Sequence, residues 1–379
     1  MWSNLRAKPS SNNKQERDSN FEILRIVAMM MIILHHIALY GGWPLDVGQT
    51  FNLSIDSFFI QFIHHFGKIG VWIFVLITGY YMVCSKSQII PKFLKLFLQI
   101  YTTSVLVDVI FIVFGGVPAN SIHWQNDLLP VLSGKWWFAS TYLIALPFFP
   151  FVNKMLNSLD RGSHLTLILL LLIVWFVIPT FTHSGMYGSF VIMFFTMYTI
   201  GAYIKLYPKS FERSVKEYGL WTIISITLLA TLIALANLIG PLDGFKPFET
   251  TLAWGNDSSI MVVIIAVLTF LTFKQTNVGH IHWVNVFAST MFGVYLLQEH
   301  DQFRAWIFEW MDIGSHYGSP DLILYVFGCM LVILVLCAIL EYVRMQTVDR
   351  ATSRLIPPFT KAIRKTLSCL VGTDNTSPQ

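Results

Sequence analysis

Apolar residues in this chain come in runs longer than the core of a soluble domain requires. They occupy 21–40, 56–84, 93–116, 136–152, 164–181, 187–207, 218–240, 257–274, 284–303 and 321–343. A helix needs about 20 mostly apolar residues to cross the hydrocarbon core, so the pattern predicts about ten transmembrane helices. Segment 56–84 is long and carries His64, His65 and Lys68, which predicts a broken or tilted helix. The polar stretches 41–55, 117–135, 182–186, 241–256 and 304–320 are too short for a separate domain. The fold class predicted is therefore all-α, a polytopic integral membrane protein. Its expected parts are a disordered cytoplasmic N-tail over 1–20, a transmembrane body over 21–345 and a cytoplasmic C-tail over 346–379. The first run follows basic residues, as a signal peptide does, but lacks a small-x-small cleavage site and is followed by further runs. It reads as a retained first helix.

Charge gives the orientation. Of the 25 lysines and arginines, all but Lys68, Lys135, Lys246 and Arg304 fall in the N-tail, the even-numbered junctions or the C-tail. With ten spans the positive-inside rule then puts both termini in the cytoplasm. Composition agrees: 55% of residues are apolar and 12% charged, against about 25% charged in soluble domains. The net charge of +4 does not point to nucleic acid, because the basic residues lie between apolar runs. Cys84, Cys329, Cys337 and Cys369 form no C-x-x-C and no spaced ligand set, so no metal is predicted.

Ionisable residues inside spans are where function is sought in such a chain. Arg25 and His36 lie eleven residues apart in the first run, three helical turns, and so share one face about 16 Å apart along the axis. His35 is turned away from that face by about 80°. An arginine fork at one mouth suits a phosphate, and an imidazole deeper in can take a proton from a hydroxyl. A plain topological reading also stands, with Arg25 as a flank and the histidines at a helix end. His64, His65 and Lys68 need partners at their depth and are candidates to line the same cavity. Gly67 and Gly70 read as helix-packing positions. Lys92 and Lys95 open the third run and either reach the phosphates of a nucleotide or mark the membrane edge. Asp108 is an isolated acid within that run, a partner for a histidine or lysine. The ninth run ends on Gln298-Glu299-His300-Asp301, an unusually polar exit that reads either as a general acid/base or substrate-hydroxyl contact or as a simple exit into water. There is no P-loop, dinucleotide fingerprint, H-E-x-x-H or G-x-S-x-G.

Several stretches resemble the membrane acyltransferase 3 superfamily, which includes bacterial O-acetyltransferases of surface polysaccharides. Leu24-Arg25-Ile26-Val27-Ala28 through His36 is similar to that family's arginine, ten residues, histidine signature, and selects the same histidine as the helical-face argument. Gly70-Val71-Trp72-Ile73-Phe74 through Thr78-Gly79-Tyr80 resembles its Gly-Val-x-x-Phe-x-x-x-Ser/Thr-Gly stretch. Lys135-Trp136-Trp137-Phe138, Tyr142-Leu143 and Pro150-Phe151-Val152-Asn153 resemble the tryptophan-rich opening and Pro-Phe-x-Asn ending of the surface-glycan branch. Tyr198 to Tyr203 and Phe292 to Leu297 are also similar, so the matches run in order over residues 20–345. Two departures stand out. Lys92 and Lys95 occupy positions where relatives often have an arginine pair, and Gln298 stands where many have a histidine.

The resemblance implies transfer of an acyl group, most simply acetyl from acetyl-CoA, to a hydroxyl of a surface polysaccharide or its lipid-linked sugar precursor. It implies a multi-pass protein of the bacterial plasma (inner) membrane. On that reading Arg25, Lys92 and Lys95 hold the CoA phosphates and the thioester arm extends toward His36 as general base. His64, His65 or Asp108 would orient the ring or stabilise charge. A covalent acyl-histidine relay is a variant of the same scheme. A transporter or flippase of lipid-linked sugars accounts for the spans but not for the Arg25 and His36 face.

Overall fold

The computed structural model describes residues 19–43, 54–182, 189–239 and 259–371. The expected N-tail over 1–18, and most of the loops over 41–55, 182–186 and 241–256, lie outside the described residues. Every regular element is helical, with no strand among the described residues. In chain order they are α1 (Ser19–Tyr40), α2 (Ile55–His64), α3 (Phe66–Met82), α4 (Ile89–Phe114), α5 (Trp124–Leu128), α6 (Trp137–Ala145), α7 (Phe149–Ser158), α8 (Arg161–Leu172) and α9 (Ile178–Thr182). Then follow α10 (Phe190–Leu206), α11 (Val215–Ile239), α12 (Ile260–Gln275), α13 (His282–Ala288), α14 (Met291–Gln298), α15 (Asp301–Met311), α16 (Leu322–Arg344), α17 (Arg350–Thr352) and α18 (Ile356–Val371).

The span count is a correction to the sequence expectation. Among the described residues, six helical stretches are long and apolar enough to cross a membrane, not about ten: Ser19–Tyr40, Ile55–Met82, Ile89–Phe114, Arg161–Thr182, Val215–Ile239 and Leu322–Cys369. Of the other four runs, two form helices that are too short and two are interrupted. The run at 136–152 is split, because Pro147 and Pro150 lack a backbone N–H to bond the preceding turn; it becomes α6 of 9 residues and α7 of 10. The run at 284–303 breaks at Ser289-Thr290 into α13 and α14, and again at His300. α10 and α12 are apolar but reach only 17 and 16 residues. The orientation read from lysines and arginines was tied to ten crossings and does not carry over from that count.

Local chemistry starts and stops these helices. The Asp160 side chain caps α8 by accepting from Ser163 N–H at 2.9 Å, and that bond holds its carboxyl below the usual range. The expected break in 56–84 falls at His65, between α2 and α3.

α3 sits at the centre, between α1 and α10, and its glycines are the reason it can. A Cβ at Gly70 would press into the Ala28 carbonyl of α1, one at Gly79 into the Tyr198 carbonyl of α10. Gly201 of α10 likewise meets the Leu76 carbonyl. Small residues at these crossings let backbones touch where lipid offers no hydrophobic drive to association. Asn153 locks a third helix to the pair: its Nδ2 donates to Met82 O at 2.8 Å and its Oδ1 accepts from Tyr198 OH at 2.6 Å. The packed core includes Trp72, Trp136, Phe149, Tyr198 and Phe270, all fully buried.

Candidate active site

The face of α1 predicted from helical spacing lines a cavity. Arg25, Met29 and Ile32, at successive turns, form one wall of a space of about 270 Å³. Phe74 and Thr78 of α3, Leu96 and Gln99 of α4, Tyr142 of α6 and Tyr295 of α14 are among the residues that close it. Arg25 is the one charged residue in the lining. Its NH1 donates to both carboxylate oxygens of Glu22, at 3.0 and 2.8 Å, one turn before it. Glu22 balances the arginine charge at the cavity's end.

His36 continues the same face one turn beyond Ile32 and is 8% exposed. Its Nδ1 lies 2.7 Å from Gln298 Nε2 and 3.3 Å from Glu299 Oε1. These partners make opposite demands. The amide N–H donates to an unprotonated Nδ1, whereas the carboxylate favours a proton there. Gln298 Oε1 is buried without a partner, so turning the amide over would present an acceptor to Nδ1–H and remove the conflict. Glu299 is held from behind by Arg304, whose NH1 lies 3.5 Å from Oε2 and whose guanidinium stacks 4.4 Å above the Tyr40 ring.

The neighbouring histidines do other work. His35 Nδ1–H donates to the His64 carbonyl, and the two rings stand 4.7 Å apart. The His35 ring packs on Gly67, where any Cβ would collide with it. His65 Nδ1–H donates to Gln61 O at 2.6 Å within its own helix. His64 Nδ1 is buried without a hydrogen bond. His64 therefore stands beside His35 at the α1–α2 contact, while the hydrogen-bonding partners of His36 come from the end of α14.

Asp108 belongs to a second cluster. Its Oδ1 lies 3.7 Å from His300 Nε2, which is 3.1 Å from both Lys135 Nζ and Ser104 O. Lys135 in turn pairs closely with Asp127. The donor atoms of Asp108, Asp127 and His300 fall within 4.8 Å of one another, a spacing open to a metal ion. The Lys135 ammonium already supplies a cation to that space.

Lys92 and Lys95 stand apart from Arg25's cavity. Lys92 Nζ donates to Met82 Sδ at 3.2 Å, and Lys95 lines a separate hollow with Asp349 and Arg350. Arg304 and Lys135 have no role in the sequence reading. Gln298 and Glu299 are marked there by the polar exit of the ninth run, and Gln298 also by the histidine that relatives carry at its position.

Residues 18–342 match the acyltransferase 3 family, described as an acyltransferase domain. The chain belongs to this family, and is a multi-pass membrane acyltransferase. No curated protein and no solved structure matches it.

Proposed function

We propose that the chain transfers an acyl group, acetyl in the first instance, from acyl-CoA to a sugar hydroxyl of a surface polysaccharide or its lipid-linked precursor. Family membership carries the acyl-transfer activity. The observation that supports the finer reading is the single face of α1, with Arg25 at one end of the cavity and His36 beyond the other, in contact with Glu299.

A cavity of about 270 Å³ falls below the roughly 300–1,000 Å³ of pockets that enclose drug-sized ligands. It suits the narrow pantetheine arm and leaves the nucleotide and its phosphates outside, at the Arg25 mouth. Arg25 keeps Nε and NH2 for a phosphate oxygen while NH1 stays on Glu22. Lys92 and Lys95, on the first turns of the helix that supplies Leu96 and Gln99, are the further cations proposed for the nucleotide end. The apolar lining excludes water from the thioester and so limits hydrolysis.

At the far end, Glu299 holds the proton on His36 Nδ1 and leaves the Nε2 lone pair as the base. His36 takes the acceptor hydroxyl proton as the oxygen attacks the thioester carbonyl. The carbon–sulfur bond breaks, and His36 returns the proton to the departing thiolate. His64, His65 and Asp108 have no step in this scheme. His64 helps seat α2 against α1 through His35, His65 bonds back to Gln61, and Asp108 sits in the second cluster.

The test is acetyl-CoA-dependent acetylation by reconstituted protein. His36→Ala is expected to lose about 10²–10⁴-fold in turnover, the contribution of a general base, while His35→Ala keeps activity in the folded fraction. Equal losses in both variants, or activity retained by the His36 variant, would overturn the assignment.

A further inference from the structure

The last described helix has a composition and placement that acyl transfer does not use. α16 is one of the long apolar stretches and ends at Arg344. The chain stays helical through a π-turn over Met345–Asp349 and a 3-10 turn over Ser353–Leu355 into α18, which carries Pro357-Pro358 in its first turn. Proline is tolerated there because the first-turn N–H groups have no partner within the helix.

At 100° per residue, Ile356, Phe359, Ile363 and Leu367 fall in an arc of about 80°, and Lys361, Arg364 and Lys365 fall together beside it. From Arg350 to Val371 there are five basic residues and no acid. All five, Arg350, Arg354, Lys361, Arg364 and Lys365, are exposed. The protein absorbs only part of the apolar arc: Ile356 and Ile363 are half-buried, whereas Phe359 is 52% and Leu367 48% exposed. α18 also packs against α4, with Arg364 NH2 donating to Gln88 Oε1 at 2.7 Å at the start of that helix. It therefore lies beside the ends of two long apolar helices, α4 and α16, the level at which headgroups begin. Lys95 of α4 and Arg350 share a hollow of about 310 Å³ at the same level.

We infer that α18 is an interfacial anchor that lies on an anionic phospholipid surface. Phe359 and Leu367 enter the acyl-chain boundary, and Lys361, Arg364 and Lys365 meet the phosphates. The charge is of one sign, and an apolar strip flanked by lysine and arginine is the composition of helices that lie in the plane of a bilayer.

The test uses the full chain with Cys84 and Cys369 replaced by serine and an environment-sensitive dye on Leu367→Cys. It is reconstituted in phosphatidylcholine vesicles or in equimolar phosphatidylcholine and phosphatidylglycerol. The expected result is blue-shifted emission and several-fold weaker quenching by aqueous iodide in the anionic vesicles. Exchange of Lys361, Arg364 and Lys365 for glutamine abolishes the difference, and exchange of both lysines for arginine keeps it. A dye equally exposed in both vesicles overturns the inference. So does one equally buried in both, which would mean that a protein surface covers the helix. So does a difference that survives the glutamine variant. None of these readouts depends on acyl transfer.

Discussion

Two histidines lie in this protein beside carboxylates from other parts of the chain, and they differ in what reaches them. His36 meets Gln298 and Glu299 on the continuation of the cavity-lining face of α1, and the Glu299 and His36 side chains keep 16% and 11% of their exposure. His300, the next residue after Glu299, is 0% exposed, packed with Asp108 at 1% and clamped by Lys135 and the Ser104 carbonyl. The residue types are nearly the same. In one place an imidazole beside a carboxylate stands one turn past Ile32, the last residue of α1 that lines the cavity, and keeps some exposure. In the other, a closed set of groups ties α4, the segment before α6 and the turn after α14 together. A histidine beside an acid is thus not by itself a catalytic site; access decides.

If the second cluster only holds the fold, breaking it should cost stability and leave turnover alone. Lys135→Met removes the ammonium from Asp127 and strands a buried carboxylate, a loss of about 3–5 kcal/mol. It should appear as a large fall in the unfolding midpoint in detergent, with the specific activity of the surviving folded fraction unchanged. A loss of turnover in protein that remains folded would join the two clusters into one site. Glu299→Gln probes the other side of the contrast. It keeps the shape but removes the charge that orients His36, which is worth about 1.5–3 kcal/mol for a charged hydrogen bond. Turnover should drop roughly 10- to 10²-fold with little change in thermal stability, and an unfolding midpoint that fell with activity would count against an orienting role. The smallest effect is expected from Asp108→Asn. Both carboxyl oxygens of Asp108 are buried without hydrogen bonds, so an isosteric amide should shift stability by about 1 kcal/mol or less and leave acetylation intact. A severe loss there would show that Asp108 serves the chemistry, as one of the sequence readings allowed.

Much of the α1 face was legible because it depends on one helix alone. Arg25, Met29, Ile32 and His36 share a side by the 3.6-residue period whatever packs against them, and the cavity lies along that side. Glu22 was visible beside Arg25, but that the pair would close one turn apart required the rotamers. The glycine positions of α3 were readable as close approaches, and the collisions at Gly70 and Gly79 bear that out. The partners of His36 were not readable, because Gln298 is 262 residues away and nothing local brings the end of α14 to α1. Nor were the contacts of Lys92 and Lys95, read from charge either as phosphate ligands or as the membrane edge: Lys92 meets a methionine sulfur and Lys95 lines a hollow apart from Arg25's cavity.

By itself, then, the sequence determined the helical class, the membrane as its surroundings and the residues aligned on the first helix. Each is a local property of apolar content and helical period. Tertiary structure decided which apolar runs form long helices and which break into short ones. It also decided which groups from distant segments meet each of the two histidines. Both depend on how far a helix can continue among its neighbours, and on groups hundreds of residues apart being brought within hydrogen-bonding distance.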